Sequence, residues 1–209
     1  MRVSPSRPAP GRYAPRRLLL LVSGCVVLGV GVGLLLTAKL GSDGYSTLVN
    51  GISIATGLSF LVCNLAVSAV FLLLAALRRL LPDVGTVVQI VVVGYTVSLV
   101  LGVLETPGGL AARSAYLVVA FPVLAVGIAA YLGSNLGAGP AEGAALAWDP
   151  PVPFKWSYSA VQGGGALVGW LLGAAIGPGT VAVVLLLGPA VDLAARALRV
   201  NVTQGRAEA

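Results

Sequence analysis

The chain contains no histidine, and only 10 % of its 209 residues are charged. Without histidine there are no imidazole metal ligands, no histidine-based catalytic triads and no imidazole proton shuttle. The sequence also lacks a phosphate-binding loop, a dinucleotide fingerprint and a metal-ligand cluster, since the glycines of 29–33 lie inside an apolar run. We therefore expect no enzyme activity, no catalytic residues, no cofactor and no metal.

Cysteine is scarce as well, with only Cys25 and Cys63. Both lie inside long apolar runs, so we expect no disulfide and interpret each as a small core residue. Charge is too sparse for a soluble domain, because 13 Lys/Arg and 7 Asp/Glu cannot cover the exterior of a chain of this length. The lipid bilayer is therefore the expected surrounding.

Apolar sequence is abundant instead: 57 % of the residues are hydrophobic and the mean hydropathy is +0.97. The apolar residues form six long blocks rather than alternating with polar residues. The blocks run over 18–38, about 53–77, 85–104, 114–133, 156–177 and 179–198. About 20 residues in a helix cross the hydrocarbon layer, and uniform apolar runs of this length fit helices rather than a barrel. We predict an all-α fold, a polytopic membrane bundle of six transmembrane helices.

The positions of the basic residues predict the orientation, because Lys and Arg near the ends of spans stay cytoplasmic. With six spans and an inside amino terminus, 11 of the 13 basic residues lie inside, and only Lys39 and Arg113 lie outside. The inside residues are Arg2, Arg7, Arg12, Arg16, Arg17, Arg78, Arg79, Lys155, Arg196, Arg199 and Arg206. Both termini are therefore predicted to be cytoplasmic, and the net charge of +6 reports topology rather than nucleic-acid binding.

The expected domain organisation has one membrane domain between two tails. Residues 1–17, rich in Pro, Arg and Ser, are predicted to be a disordered basic cytoplasmic tail. Residues 18–198 form the six-helix domain, and 199–209 form a second cytoplasmic tail.

An internal repeat relates the two halves of this domain at an offset of 94 to 96 residues. Segment 85–99 aligns without gaps to 179–193, with six of fifteen positions identical, including a shared Gly-Thr-Val opening. Upstream, Leu40-Gly41 matches Leu136-Gly137. The pattern predicts repeat one over 18–104 and repeat two over 114–198, and units of three spans must lie inverted relative to each other.

Short glycine-rich motifs carry a family resemblance. Gly137-Ala-Gly139-Pro140-Ala-Glu142 follows one predicted span, Gly-Thr-Val opens two others at 85 and 179, and Gly188-Pro189 is followed by Asp192. With these motifs the chain resembles the bacterial YczE/YyaS/YitT-like family of integral membrane proteins over most of 18–198. The resemblance implies a multi-pass protein of a bacterial cell membrane, and it implies little chemistry, because most members have no assigned activity.

Two repeat-related glycines mark a candidate solute or ion pathway. Gly94 and Gly188 each lie nine residues into a span, roughly 14 Å, which is close to half the hydrocarbon thickness. The polar or helix-interrupting neighbours of this pair are Gln89, Tyr95, Thr96, Ser98 and Pro189. Transporters with inverted repeats place their sites at this depth, and the alternative is that the glycines permit close helix packing while the hydroxyls bond to the backbone.

Acidic and amide side chains complete the candidates. Asp192 is the one acid inside a predicted span, where a carboxylate is costly; it serves either ion coupling or a structural pair with Arg196 one turn on. Pro140 and Glu142 suit the first turn of a short helix in a loop. Asn64 and Gln162 are expected to be interhelical hydrogen-bond partners.

The fifth predicted span carries glycines at every fourth position, which indicates a face that packs closely on another helix. These residues are Gly165, Gly169, Gly173 and Gly177. The neighbour is a helix of the same chain or of a second copy. The expected function is a permease or exporter of a small solute or ion, and the alternative is a non-transporting scaffold or regulator of a partner membrane protein.

Overall fold

The computed structural model describes residues 13–148 and 151–200, and within these ranges the chain is entirely helix and loop. The predicted tails fall largely on 1–12 and 201–209, outside the described residues. The helices are α1 (Pro15–Ala38), α2 (Gly44–Thr56), α3 (Phe60–Leu77), α4 (Val84–Val103), α5 (Leu110–Gly133), α6 (Pro140–Ala147), α7 (Phe154–Leu171) and α8 (Pro178–Leu198).

Five of these helices are long and apolar enough to cross a membrane: α1, α3, α4, α5 and α8. They correspond to five of the six predicted spans. The remaining predicted span, 156–177, falls on α7, which has 18 residues but carries Gln162 and three successive glycines in its middle. Because these residues lower its hydropathy, the length and composition of the helices support five spans and leave the sixth as a prediction.

The second predicted span, about 53–77, is broken in the structure. Helix α2 ends at Gly57, whose positive φ of 72° is costly for other residues, and Ser59 begins α3 by accepting a hydrogen bond from the Val62 backbone N–H. The apolar run hid these two signals, because hydropathy does not distinguish one long helix from two separate ones.

Helix α1 lies at the centre of the bundle, against α5 and α4. Its buried residues include Leu21, Cys25 and Leu35, none of which is exposed. Glycines bring α1 and α5 into backbone contact: a Cβ placed on Gly24 would lie 2.5 Å from the Tyr131 backbone nitrogen. This antiparallel pair is the core on which the other helices are arranged.

The short helices α2 and α6 both begin in the interior of the bundle. Gly44, at the start of α2, packs against Gln162 in the middle of α7, whereas Ile54, near its end, lies beside Gly173 beyond the end of α7. Helix α2 therefore runs parallel to α7 and starts about 14 Å inside its end, at nine residues of 1.5 Å each. Similarly, α6 ends beside Arg78 at the end of α3, since Arg78 donates to the Ala147 carbonyl.

Two equivalent backbone hydrogen bonds, one at each end of the bundle, join the start of a helix to a distant loop. The Gly85 N–H donates to the Leu136 carbonyl at 2.7 Å, and the Gly179 N–H donates to the Leu40 carbonyl at 2.8 Å. The loops that supply these carbonyls share an unusual backbone, because Gly41 and Gly137 both have φ in the left-handed region, at 101° and 138°. We call these ends the Leu40 end and the Leu136 end.

The outer faces of the helices are apolar. Exposed leucines and valines cover α3, α4 and α8, including Leu73, Val103 and Leu185. An apolar surface of this extent is unstable in water but is the expected lipid-facing surface of a membrane bundle.

Candidate functional site

The amino-terminal ends of α2 and α6 each carry an acid in the interior. Asp43 caps α2, and its carboxylate accepts a hydrogen bond from the Ser46 backbone N–H at 2.9 Å. Gly139 is the cap of α6, Pro140 occupies its first turn and Glu142 is the acid of that turn. Both acids therefore lie at the positive end of a helix dipole, which favours a carboxylate.

A hydrogen-bonded network joins these two helix starts through α7. The Tyr45 backbone N–H of α2 donates to Gln162 Oε1 at 2.9 Å, and Gln162 Nε2 bonds to the Tyr158 hydroxyl at 2.8 Å. Tyr158 in turn hydrogen-bonds with the Glu142 carboxyl group. The start of α2 is thus connected to the acid of α6 by two polar side chains of one helix.

The Tyr45 side chain extends the network into α3 and α4. Its hydroxyl donates to Asn64 Oδ1 at 3.0 Å and lies 2.7 Å from the Ser68 hydroxyl. Asn64 Nδ2 donates to the Ile90 carbonyl of α4 at 2.8 Å. Asn64 and Ser68 are buried, so the polar network (Asp43, Tyr45, Asn64, Ser68, Tyr158, Gln162 and Glu142) lies inside the bundle rather than on its surface.

The electrostatic environment of the polar network opposes charge on Glu142. Burial raises the pKa of the Glu142 carboxyl group, and the nearby Asp43 carboxylate raises it further. The backbone N–H of Glu142 and the Tyr158 hydroxyl bond to the carboxylate and act in the opposite direction. The described part of the chain contains no group of three His, Cys, Asp or Glu residues able to hold a metal ion.

A cavity opens at each end of the bundle. The cavity at the Leu40 end has a volume of about 380 Å³ and is bordered by Lys39, Gly41 and Asn50. The cavity at the Leu136 end has a volume of about 360 Å³ and is bordered by Thr86, Asn135 and Gly137. Gly41 and Gly137 are the two glycines with left-handed backbone, so the cavities border matching loops of the two halves.

The structure distributes the predicted pathway residues of α4 over different surroundings. Gly94 packs against Asn64, and Thr96 is buried against Gly29 while its hydroxyl donates to the Val92 carbonyl. Tyr95 is 55 % exposed on the outer surface.

Two further residues of α4 contact neighbouring segments. The Ser98 hydroxyl accepts a hydrogen bond from the Leu61 N–H at the start of α3. Gln89 Nε2 lies near Gly139, the cap of α6. Of the predicted α4 residues, Gly94 and Gln89 therefore lie next to the polar network.

The predicted pathway residues of α8 are exposed. Gly188 has open space where its side chain would be, and Pro189 and Asp192 are exposed on the same helix, which packs chiefly against α5. Gly188 therefore does not share the buried surroundings of Gly94, and neither glycine borders the two cavities.

Of the four glycines predicted to form one helix face, Gly165 and Gly169 lie on α7 and face α2, whereas Gly173 and Gly177 lie beyond the end of α7 at Leu171, so the predicted face is shorter than expected. Gly165 packs on the Gly44 carbonyl and Gly169 on the Thr47 carbonyl, while Gly177 lies beside the Leu40 carbonyl. Gly173 is next to Ile54. The neighbour of this glycine face is thus a helix of the same chain.

Sequence reasoning missed Asp43, Tyr45, Ser68 and Tyr158 as members of the polar network. One signal was available: Asp43 followed by Gly44 and a helical apolar pattern is a helix-start signature. The two tyrosines and the serine carry no such signal, because only the fold brings them beside Asn64 and Glu142.

An all-helical chain with five helices apolar enough to cross a membrane is a multi-pass membrane protein. The chain belongs to the DUF6198 family, a family of unknown function, whose model matches residues 15–196. It is similar to an uncharacterized protein of Haemophilus influenzae, with 26 % identity over 179 residues that cover 85 % of this chain and 82 % of the relative. No solved structure matches.

Proposed function

We propose that the protein is a permease or exporter that carries a small solute or an ion across a bacterial cell membrane, with the polar network as its transport site. The observation that carries this proposal is the pair of short helices, α2 and α6, that both begin in the interior with an acid at their starts. Secondary transporters place interrupted helices in this way, so that helix ends and unpaired backbone groups surround the transported species.

The same proposal includes six spans in two inverted units. Helix α7 has 18 residues, about 27 Å, and runs alongside α2 to the Leu40 end, so it has the length and the direction of a sixth span. The matched Gly85–Leu136 and Gly179–Leu40 hydrogen bonds support an inverted relation of the two halves, and the YczE-like resemblance agrees with it. The basic residues then favour cytoplasmic termini.

The cavities support transport rather than a purely structural role. They lie at opposite ends of the bundle and border the matching loops that lead into α2 and α6, the two helices whose starts carry Asp43 and Glu142. Alternating access requires a site that is reached from either side in turn, and two such cavities are suitable approaches.

Labelling of single cysteines tests the topology. Native Cys25 and Cys63 are buried, so an impermeant maleimide should give little background. We expect Glu105→Cys and Ile176→Cys to react from outside intact cells, and Val152→Cys to react only after permeabilisation. Reaction of Val152→Cys and Ile176→Cys from the same side would exclude α7 as a span.

Flux measurements test the function. Purified protein in vesicles is challenged with a panel of small ions and neutral solutes, and the rate of volume or content change is compared with that of empty vesicles. We expect at least one solute to move faster with the protein, and Asn64→Leu, which breaks the network, to slow it. If no solute of the panel moves, and the protein purifies only with a second membrane protein, the scaffold alternative is favoured.

A further inference from the structure

We propose that Glu142 is the proton-binding residue of the transport site, and that the hydrogen-bond chain that joins α6, α7 and α2 responds to its protonation. This inference rests on the proposed transport function, and it adds the coupling species. Carboxyl groups inside membrane bundles commonly serve as proton relays in transporters.

The direction of each hydrogen bond in the chain follows from its first donor. The Tyr45 backbone N–H can only donate, so the Gln162 group that it reaches at 2.9 Å is the carbonyl oxygen. The Gln162 NH₂ group therefore donates to the Tyr158 hydroxyl at 2.8 Å. Tyr158, having accepted this bond, directs its own hydrogen to Glu142, so all the hydrogens of the chain point toward the carboxyl group.

This polarity favours the carboxylate form of Glu142, whereas its surroundings favour the protonated form. The titratable groups that act with it are Asp43, Tyr131 and Tyr158, together with Tyr45 of α2. None of these described groups is basic. Groups that favour the carboxylate and groups that favour the protonated form therefore act on the same carboxyl group, as at residues that exchange a proton.

The basic side chain beside α3 lies away from the carboxyl group. Helix α3 has no charge along its length, and Arg78, which follows it, binds the opposite end of α6 through the Ala147 carbonyl and lies over the Trp148 ring. Burial of Glu142 and the Asp43 carboxylate therefore dominate, and the pKa of Glu142 is raised.

Proton uptake changes the hydrogen bond on which α6 and α7 meet. A protonated Glu142 keeps an oxygen that accepts from Tyr158 but loses its charge, so the charge-assisted hydrogen bond between the two becomes a weaker neutral one. Because Gln162 also holds the start of α2 through Tyr45, the change reaches the helix that borders the Leu40 end. Protonation is thereby linked to the packing of α2 on α7.

Infrared difference spectroscopy of the purified full-length protein tests the assignment without any transport assay. The carbonyl stretch of a protonated carboxyl group is followed during a pH titration. We expect a band that titrates above 4.5, the ordinary value for Glu, in the wild type. Glu142→Gln should remove this band, and Glu105→Gln, which alters an exposed glutamate, should keep it.

Two substitutions around the carboxyl group make the test specific. Tyr158→Phe removes the donor to the carboxylate and should move the midpoint to higher pH, whereas Asp43→Asn removes a like charge and should move it to lower pH. Tyr95→Phe, on the outer surface, is the matched control and should leave the midpoint unchanged. These three variants still test the assignment of the titrating band if Glu142→Gln fails to fold.

Persistence of the titrating band in Glu142→Gln, or equal midpoints in Tyr158→Phe and Tyr95→Phe, would overturn the assignment. The titration and the flux measurements fail independently. A titrating Glu142 in a protein that moves no solute contradicts only the proposed function, and solute flux without a titrating Glu142 contradicts only the proton-binding role.

Discussion

Replacing Gly165 by Ala should destabilise the contact between α2 and α7. A Cβ at this position would lie 2.7 Å from the Gly44 carbonyl oxygen, and roughly 3.5 Å is the favourable separation of two heavy atoms, so the helices must separate by about 0.8 Å. Helix α2 cannot easily move away, because the Tyr45 N–H is bonded to Gln162 and Gly169 contacts Thr47 one turn later. Overpacking of this kind costs about 1–3 kcal/mol.

Gly164→Ala is the matched control, since a Cβ there meets nothing within 4 Å. Both substitutions gain about 0.8–1 kcal/mol of helix propensity, so the difference between the two variants isolates the packing cost. We expect Gly165→Ala to be about 1–3 kcal/mol less stable than Gly164→Ala. Unfolding with sodium dodecyl sulfate in mixed micelles, followed by tryptophan fluorescence, measures this difference. Equal stability of the two variants would refute the close parallel packing of α2 on α7.

Three further results are expected. Thr86→Val should lower the free energy of unfolding by about 1–3 kcal/mol, because it leaves the Ala138 carbonyl without its 2.7 Å hydrogen bond. Thr180→Val should be nearly neutral, since the Thr180 hydroxyl is buried without a hydrogen-bond partner. Unfolding in the same mixed micelles compares the two variants. Arg113→Lys should lower the melting temperature, because the guanidinium group donates 2.6 Å bonds to the carbonyls of both Ala38 and Lys39, and an unchanged temperature would contradict this. The unfolding free energy should fall as pH rises from about 4.5 through the raised pKa of Glu142, because the folded state binds the proton more tightly, and Glu142→Gln should flatten that slope.

The membrane class and the helical spans were predictable because lipid imposes one strong requirement. Backbone groups must be paired within each span, so long apolar runs identify the helices directly, as for α1, α4 and α5. The Pro140 and Glu142 pattern also predicted the short α6, since it rests on local first-turn chemistry.

The polar network was less predictable because its members are separated along the chain. Asn64 and Gln162 were expected to bond between helices, since amides in apolar runs require partners, but the identity of those partners depends on the fold. The break between α2 and α3 was also hidden from the sequence. Hydropathy averages over a window, so the apolar residues after Ser53 masked the helix end at Gly57.

The exposure of Gly188 shows that a sequence repeat does not predict equivalent packing of the repeated residues. Its counterpart Gly94 is buried against α3, whereas Gly188 has open space on α8. Equivalent positions in a repeat have equivalent sequence spacing, but the packing of each helix depends on its own neighbours. Asp192, on the same exposed helix, keeps the two interpretations that the sequence allows, ion coupling or pairing with Arg196.

Proton movement through the reconstituted protein tests most directly whether Glu142 couples proton uptake to transport. Vesicles that contain an internal pH-sensitive dye are given a pH gradient and a panel of solutes, and the rate of internal pH change is compared for wild type, Glu142→Gln and Glu105→Gln. We expect a solute-dependent pH change in the wild type and in Glu105→Gln that is lost in Glu142→Gln. Solute-dependent pH change that persists unchanged in a folded Glu142→Gln protein would contradict this coupling.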